Sequence, residues 1–154
     1  MSRGDDCMKK SGLENFGAYR KSLELFDLVA KDMETLKGDS SLGRLVSQQL
    51  ASADSICANI EEGYGRLSRK EYIRFLDFAR GSARETCGRY KRLKHWLGED
   101  VLPQRIELLD EIIGILTATI KTLMKEKTGV KEETSRYGSG SILEPLDTRH
   151  STLK

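Results

Sequence analysis

Basic side chains concentrate in residues 66–95, and contact with phosphate is the chemistry that they can supply. Seven Arg and three Lys stand there against Glu71, Asp77 and Glu85, a local charge of +7 in a chain whose net charge is +2. Lysine and arginine give nucleic acids a sequence-independent affinity, and no aromatic motif for base stacking is present. The alternative is a solvated helix face that only keeps the protein in solution. The predicted nucleic-acid-binding residues are Arg66, Arg69, Lys70, Arg74, Arg80, Arg84, Lys91 and Arg92.

Three aromatic residues, Tyr64, Phe78 and Trp96, accompany these cations. Phe78 and Trp96 are 18 residues apart, which is about five helical turns, so they fall on the same flank of one helix. Aromatic side chains can stack on bases, but they are also enriched where subunits meet. We predict that the three residues form an oligomer interface.

Cysteine and histidine, the usual ligands of zinc, are scarce and scattered. Cys7, Cys57 and Cys87 are isolated, and the histidines are His95 and His150. A structural zinc site needs about four such ligands at close spacing, so we predict no metal and no cofactor. No phosphate-binding loop, zinc-protease helix or serine-hydrolase motif occurs either. The sequence therefore predicts a protein that binds partners and is not an enzyme.

Acidic residues surround the Gly63-Tyr64-Gly65 turn, and they leave one enzymatic alternative open. Glu61, Glu62 and Glu71 lie there together with Asn59. A carboxylate cluster can hold a catalytic metal, as in a metal-dependent nuclease. Helix capping and surface ion pairs explain the same residues, and we favour that structural interpretation.

Four helices must position these residues. The first, from Leu13 to Leu36, has an apolar stripe of Phe16, Tyr19, Leu23, Phe26, Val29 or Ala30, and Met33, with a second stripe at Leu25 and Leu28. The second is capped by Ser40 or Ser41, ends at Gly63-Tyr64-Gly65, and has its core positions at Leu42, Leu45, Gln49, Ala53, Ile56 and Ile60.

The third helix opens with the capping box Ser68-Arg69-Lys70-Glu71 and ends at Leu97-Gly98. Its predicted core residues are Tyr72, Phe75, Leu76, Ala79, Ala83, Tyr90, Leu93 and Leu97. The fourth has Pro103 in its first turn and two apolar rows. These are Leu102, Ile106, Leu109, Ile113, Leu116, Ile120 and Leu123, and beside them Leu108, Ile112 and Ile115.

This pattern predicts an all-α protein, an antiparallel up-down-up-down four-helix bundle over residues 13–127. Residues 1–12 are expected to be a flexible arm. Residues 128–154 are expected to be a disordered tail. Within it, residues 142–146 (ILEPL) are the candidate docking peptide, but a stray apolar stretch is the favoured interpretation. The double apolar rows of the first and last helices predict burial against other copies. With no membrane-spanning run and no signal segment, the expected location is the cytoplasm.

Residues 55–76 (SICANIEEGYGRLSRKEYIRFL), followed by Ala79-Arg80-Gly81-Ser82, resemble a known family. They are similar to the "S-I-P-x-N-I-A-E-G-x-G-R-x-S-x-K-E" run of four-helix-bundle proteins encoded in intervening sequences of bacterial large-subunit rRNA genes. Cys57 replaces the family proline, and Glu61 replaces its alanine. Glu85 and Thr86 keep part of the following family pattern, which otherwise diverges here. The similarity covers about residues 16–126.

The resemblance implies a homopentamer in the shape of a cylinder. It also implies nucleic-acid association, because the family is similar in fold to the accessory variability determinant of diversity-generating retroelements, a basic pentamer that binds a reverse transcriptase and its template RNA. The expected function is thus a non-enzymatic oligomeric adaptor for RNA, for an RNA-handling protein such as a reverse transcriptase, or for both. The alternative is a protein-only scaffold that does not bind nucleic acid.

Overall fold

The computed structural model describes residues 12–136, which form four α-helices and two short 3₁₀ helices, with no strand in that range. The α-helices are α1 (Gly17–Leu36), α2 (Gly43–Tyr64), α3 (Arg69–Leu93) and α4 (Val101–Arg136). The 3₁₀ helices Leu13–Asn15 and Ser40–Leu42 precede α1 and α2. Nearly all of the predicted arm, and the predicted docking peptide at 142–146, lie outside the described residues. No helix in the described range is long and apolar enough to cross a membrane.

Each helix packs antiparallel to its two neighbours, because early residues of one helix contact late residues of the next. Four contacts that show this are Tyr19–Glu61, Gln49–Thr86, Arg69–Glu126 and Arg105–Asp32. The four helices therefore enclose one core, and the predicted all-α bundle is confirmed. The pentameric ring stays a prediction.

The buried face of α1 differs from the predicted stripe. Leu23 is 43% exposed, whereas Leu25, assigned to a second stripe, is fully buried. The buried face also includes two polar residues, Ser22 and Asp32. These polar positions interrupt the apolar pattern, so the buried face of α1 is rotated relative to the predicted stripe.

The apolar surplus of α1 and α4 is smaller than the sequence suggested. Leu25 and Ile112, which were counted as surplus, are both fully buried within the single bundle. Leu28, Leu108 and Ile115 are half-buried. One chain therefore buries most of both apolar rows, and α1 and α4 leave little apolar surface for another copy to cover.

The helix ends correct three further expectations. Asp39, rather than Ser40 or Ser41, caps the second helical region, since its carboxylate accepts a hydrogen bond from the Ser41 amide at 2.9 Å. Ser68 is the N-cap of α3 as predicted, but its side chain makes no capping bond. Glu71 instead forms an ion pair with Arg74 at 3.5 Å.

The third and fourth helices end at other places than predicted. Because α3 ends at Leu93, Leu97 and Trp96 lie in the turn that follows it. Pro103 lies in the first turn of α4 as expected, but α4 continues to Arg136. The helix thus extends past the predicted bundle boundary at Lys127, and the division into bundle and tail stays a prediction.

A buried polar network joins α1, α3 and α4, and sequence reasoning missed it. The Arg105 guanidinium donates two hydrogen bonds to the Asp32 carboxylate, at 2.8 and 3.0 Å. The Tyr90 hydroxyl donates a third at 2.7 Å. Each charge is paired and hydrogen-bonded, as burial requires. Since Tyr90 belongs to α3, the network helps to fix the rotation of α3 and thus which of its residues face outward.

Candidate nucleic-acid interface

One face of α3 is buried and the opposite face carries the predicted nucleic-acid-binding residues. Five core positions of the helix are fully buried: Leu76, Ala79, Ala83, Tyr90 and Leu93. Of the eight predicted residues, Arg80 is half-buried, with 25% of its side chain exposed. The other seven are exposed: Arg66, Arg69, Lys70, Arg74, Arg84, Lys91 and Arg92. The structure therefore leaves most of the set accessible to a partner.

Half of the eight predicted cations already have an acidic partner. Arg80 pairs with Asp77 at 2.6 Å, one helical turn away. The other pairs are Arg66–Glu62, Arg69–Glu126 at 2.9 Å and Arg74–Glu71 at 3.5 Å. A carboxylate at this distance cancels much of the field that a phosphate would feel, and it would have to be displaced for direct contact. The local charge of +7 thus overstates the positive potential of this face.

The remaining cations of the set are Lys70, Arg84, Lys91 and Arg92, and none forms an ion pair within the described part of the chain. Arg84, Lys91 and Arg92 lie within eight residues, which is about 12 Å along the helix. We call these three residues the α3 cation cluster. Lys70 lies about 21 Å from Arg84 along the same helix.

The α3 cation cluster also has a structural explanation. Lys91 and Arg92 are in the last turn of α3, where positive charge stabilises the helix dipole. That role accounts for two cations at the helix end but not for Arg84, which precedes them by two turns. The cluster therefore supplies more charge than the helix end requires.

Arg89, a basic residue of α3 outside the predicted set, is buried between α2 and α3. Its Nη2 donates to Glu85 at 2.6 Å, while its buried Nη1 has no hydrogen-bond partner in the described range. The guanidinium lines a cleft of about 140 Å³ together with Gln48, Ala51, Ser52, Ser55 and Glu85. One of the cations counted on the basic segment is thus removed from the surface, and no pattern in the sequence separates it from the others.

Tyr64, Phe78 and Trp96, the predicted interface residues, are each exposed by 43 to 47%. Phe78 and Trp96 are more than about 20 Å apart along α3, so these two do not form one patch. The Phe78 ring packs edge-on against Phe75 with centroids 5.8 Å apart, and Trp96 packs against His95 at 5.9 Å. Their exposure leaves them available to another chain, and their role in an oligomer stays a prediction.

The acidic residues near the α2–α3 turn have structural partners. Glu61 accepts a hydrogen bond from Tyr19 at 2.8 Å, while Glu62 and Glu71 pair with arginines. Burial, followed by the bond to Glu61, raises the pKa of Tyr19 to about 12. No group of three potential metal ligands occurs among the residues whose side chains are described. The favoured interpretation of these carboxylates, as helix-end and surface pairs, agrees with these contacts.

Two of the three cysteines, Cys57 and Cys87, are buried free thiols. The Cys57 thiol donates to the Ser22 hydroxyl at 3.3 Å, and burial raises its pKa. A buried thiol that is harder to ionise is a poor nucleophile. The Cys57 side chain packs between α2 and α1, at the position where the related family pattern has a proline.

Comparisons with known proteins identify relatives of this chain. Residues 14–118 match the family model described as 23S rRNA-intervening sequence protein. A solved structure from Bacteroides thetaiotaomicron, described as a protein with unknown function from the S23 ribosomal protein family, is 26% identical to this chain with a TM-score of 0.64. The similarity covers 68% of this chain and 98% of that one. A search of curated proteins found no match.

The family model covers all of α1, α2 and α3 and the first half of α4, including every predicted nucleic-acid-binding residue. The solved relative supports the same helical fold over 68% of the chain. The chain therefore belongs to the 23S rRNA-intervening sequence protein family.

Proposed function

We propose that this protein is a non-enzymatic, oligomeric adaptor that binds RNA through the α3 cation cluster. The observation that carries the proposal is that Arg84, Lys91 and Arg92 are exposed and close together, and that they form no ion pair in the described part of the chain. Lys70 adds a fourth uncompensated charge at the other end of the helix. The family description names 23S rRNA, which makes ribosomal RNA the first ligand to test.

The expected binding is electrostatic and tolerant of sequence. Four phosphate contacts on a single strand give a slope of about −2.8 in a plot of log affinity against log salt concentration. The paired cations Arg66, Arg74 and Arg80 contribute less, because their carboxylate partners compete with phosphate. This division of the eight predicted cations into paired and unpaired groups makes the proposal testable with matched variants.

The experiment compares two triple variants of the full chain for binding to a 23S rRNA fragment at low salt. One replaces the cluster (Arg84→Gln, Lys91→Gln, Arg92→Gln), and the matched control replaces three paired arginines (Arg66→Gln, Arg74→Gln, Arg80→Gln). Each removes three positive charges from the same segment. We expect the cluster variant to lose most of its binding in fluorescence anisotropy and the control to lose little. Equal losses, or no binding by the parent protein, would refute the proposal.

A second candidate function is a protein-only scaffold, with a reverse transcriptase or another RNA-handling protein as its partner. Its support is exposed apolar surface beside the α2–α3 turn, where Leu67 is fully exposed and Phe78 is 45% exposed. A co-purification that survives nuclease treatment and is lost on Leu67→Asp would favour this candidate. Loss of the partner on nuclease treatment would favour the RNA-dependent adaptor.

The oligomeric part of the proposal is a homopentamer that uses Tyr64, Phe78 and Trp96. Sedimentation equilibrium at micromolar concentration should give a mass of five 17.4 kDa chains. Phe78→Asp should shift the mass toward one chain, because a charge would be buried at the contact. A parent protein that sediments as a monomer would remove the oligomer from the account.

A further inference from the structure

An exposed apolar surface lies beside the α2–α3 turn. Leu67 is fully exposed in this turn, and Phe78, which lies in α3, is 45% exposed. The half-buried Phe75 ring packs against Phe78. Arginine guanidinium groups lie over both rings, Arg66 at 5.0 Å from the Phe75 centroid and Arg74 at 5.3 Å from that of Phe78. We call these five residues the α2–α3 patch.

Leu67 follows Arg66 in the chain, and the Arg66 guanidinium lies over Phe75, which packs against Phe78, so these residues border one surface. The arginines already have carboxylate partners, Glu62 and Glu71. These carboxylates compete with an acidic ligand as they do with phosphate. Lys70, which forms no ion pair in the described range, lies between the two phenylalanines and Leu67 in sequence. The patch therefore suits a short apolar segment that carries acidic residues.

Residues 142–147 (ILEPLD) of this chain have that composition: Ile142, Leu143 and Leu146 are apolar, and Glu144 and Asp147 are acidic. Pro145 disfavours a helix and restricts the residue before it to an extended backbone. The segment follows Gly-Ser-Gly-Ser at 138–141, the composition of a flexible linker. Its chemistry thus complements the patch in both apolarity and charge.

The chain beyond α4 is long enough to reach the patch. The Arg69–Glu126 ion pair, at 2.9 Å, places Glu126 beside the start of α3, two residues after Leu67. From Glu126 to the end of α4 at Arg136 the helix extends about 15 Å. Residues 137–141 span up to about 18 Å when extended. They are therefore long enough to return over the 15 Å from the end of α4 to Glu126. An extended 142–147 then covers about 20 Å, enough to run from Leu67 to Phe78.

We propose that residues 142–147 dock in an extended conformation on the α2–α3 patch of the same chain, with leucine side chains against Leu67 and Phe78 and the acidic side chains toward Lys70 and Arg74. This inference and the proposed RNA binding share one unpaired cation, Lys70, whereas the α3 cation cluster lies outside the patch. Because Phe78 is also a predicted interface residue, a subunit contact through Phe78 would have to displace the docked segment.

Disulfide trapping tests the proposal in the full-length chain with Cys7→Ser, which leaves Cys57 and Cys87 buried. The test pair is Leu67→Cys with Leu143→Cys. The matched control is Lys125→Cys with Leu143→Cys, since Lys125 is exposed and lies near the same end of α4 but outside the patch. Leu67 is fully exposed, so Leu67→Cys should leave the bundle folded.

Under oxidised glutathione, the test pair should form an intramolecular disulfide about tenfold faster than the control, because docking raises the effective concentration of the segment at the patch. Intact mass under non-reducing conditions measures formation of the disulfide. Adding Ile142→Asp and Leu146→Asp to the test pair should reduce its rate of disulfide formation to that of the control. Equal rates in the two pairs would overturn the proposal, since they indicate a free tether. Covalent dimers of the test pair would overturn it too, because the segment would then occupy the patch of another copy.

Discussion

Truncating Asp32 to alanine should destabilise the protein severely, because it leaves two polar groups without their partner inside the bundle. The Asp32 side chain is 8% exposed and that of Arg105 is 10% exposed. Asp32→Ala removes both hydrogen bonds to the Arg105 guanidinium and the bond from the Tyr90 hydroxyl. Removing one partner of a buried ion pair costs about 3–5 kcal/mol, since the remaining charge stays desolvated and uncompensated. The expected loss is a large part of the stability of an ordinary domain.

The same helix supplies a matched control. Glu34 pairs with Lys37 at 3.2 Å, but about 70% of each side chain is exposed. Water solvates either charge when its partner is removed, so Glu34→Ala should cost less than about 1 kcal/mol. Urea denaturation followed by circular dichroism at fixed protein concentration measures both losses.

Replacement of the whole network should recover stability. In Asp32→Leu combined with Arg105→Met and Tyr90→Phe, no buried polar group is left unpaired, and such replacements are often neutral or stabilising. If Asp32→Ala costs no more than Glu34→Ala, then Asp32 and Arg105 are not buried together, and the packing of α1 against α4 described above is wrong.

Two other predictions concern the same core. The pKa of Tyr19 is raised from 10.0 to about 12, and burial and the Asp32 carboxylate raise the pKa of Tyr90 further. A raised tyrosine pKa adds stability below pH 10, and this stability is lost as the pH rises toward about 12. The urea midpoint of unfolding should therefore fall over that interval. Tyr19→Phe should lessen the fall, and a midpoint that is flat across the interval would contradict the assignment. Gly63→Ala should destabilise the protein by about 1–3 kcal/mol, because its Cβ would lie 2.8 Å from that of Phe75. Gly81→Ala, where a Cβ meets nothing within 4 Å, should stabilise α3 by about 1 kcal/mol; if both changes had the same sign in thermal melts, the α2–α3 approach would be misplaced.

The bundle could be predicted from the sequence because α4 and α3 have regular apolar spacing and the turns carry glycines. The rotation of α1 could not. Ser22 and Asp32 face the core, and a polar residue at a buried position looks like a surface residue when only the sequence is known. Their partners, Cys57 for Ser22 and Arg105 for Asp32, lie 35 and 73 residues away. Such long-range pairing is absent from any local pattern.

The candidate interface could be predicted only in part for a related reason. The concentration of cations on α3 is visible in the sequence, and its exposed face is where the helical period places it. The neutralising partners are less visible, because Glu126, which pairs with Arg69, belongs to α4. Arg89 differs from its neighbours only in facing α2, where small side chains leave room for it. Charge counting along one segment therefore overestimates the charge that a ligand meets.

The salt dependence of RNA affinity tests the central claim most directly. For the parent protein and a single-stranded rRNA fragment, log affinity should fall with log salt concentration at a slope of about −2.8, as four phosphate contacts require. Replacing Arg84, Lys91 and Arg92 with glutamine should make the slope shallower by about 2.1, because three of the four proposed contacts are removed. A parent slope near zero, or a slope that these three replacements do not change, would contradict the claim that the unpaired cations of α3 bind RNA.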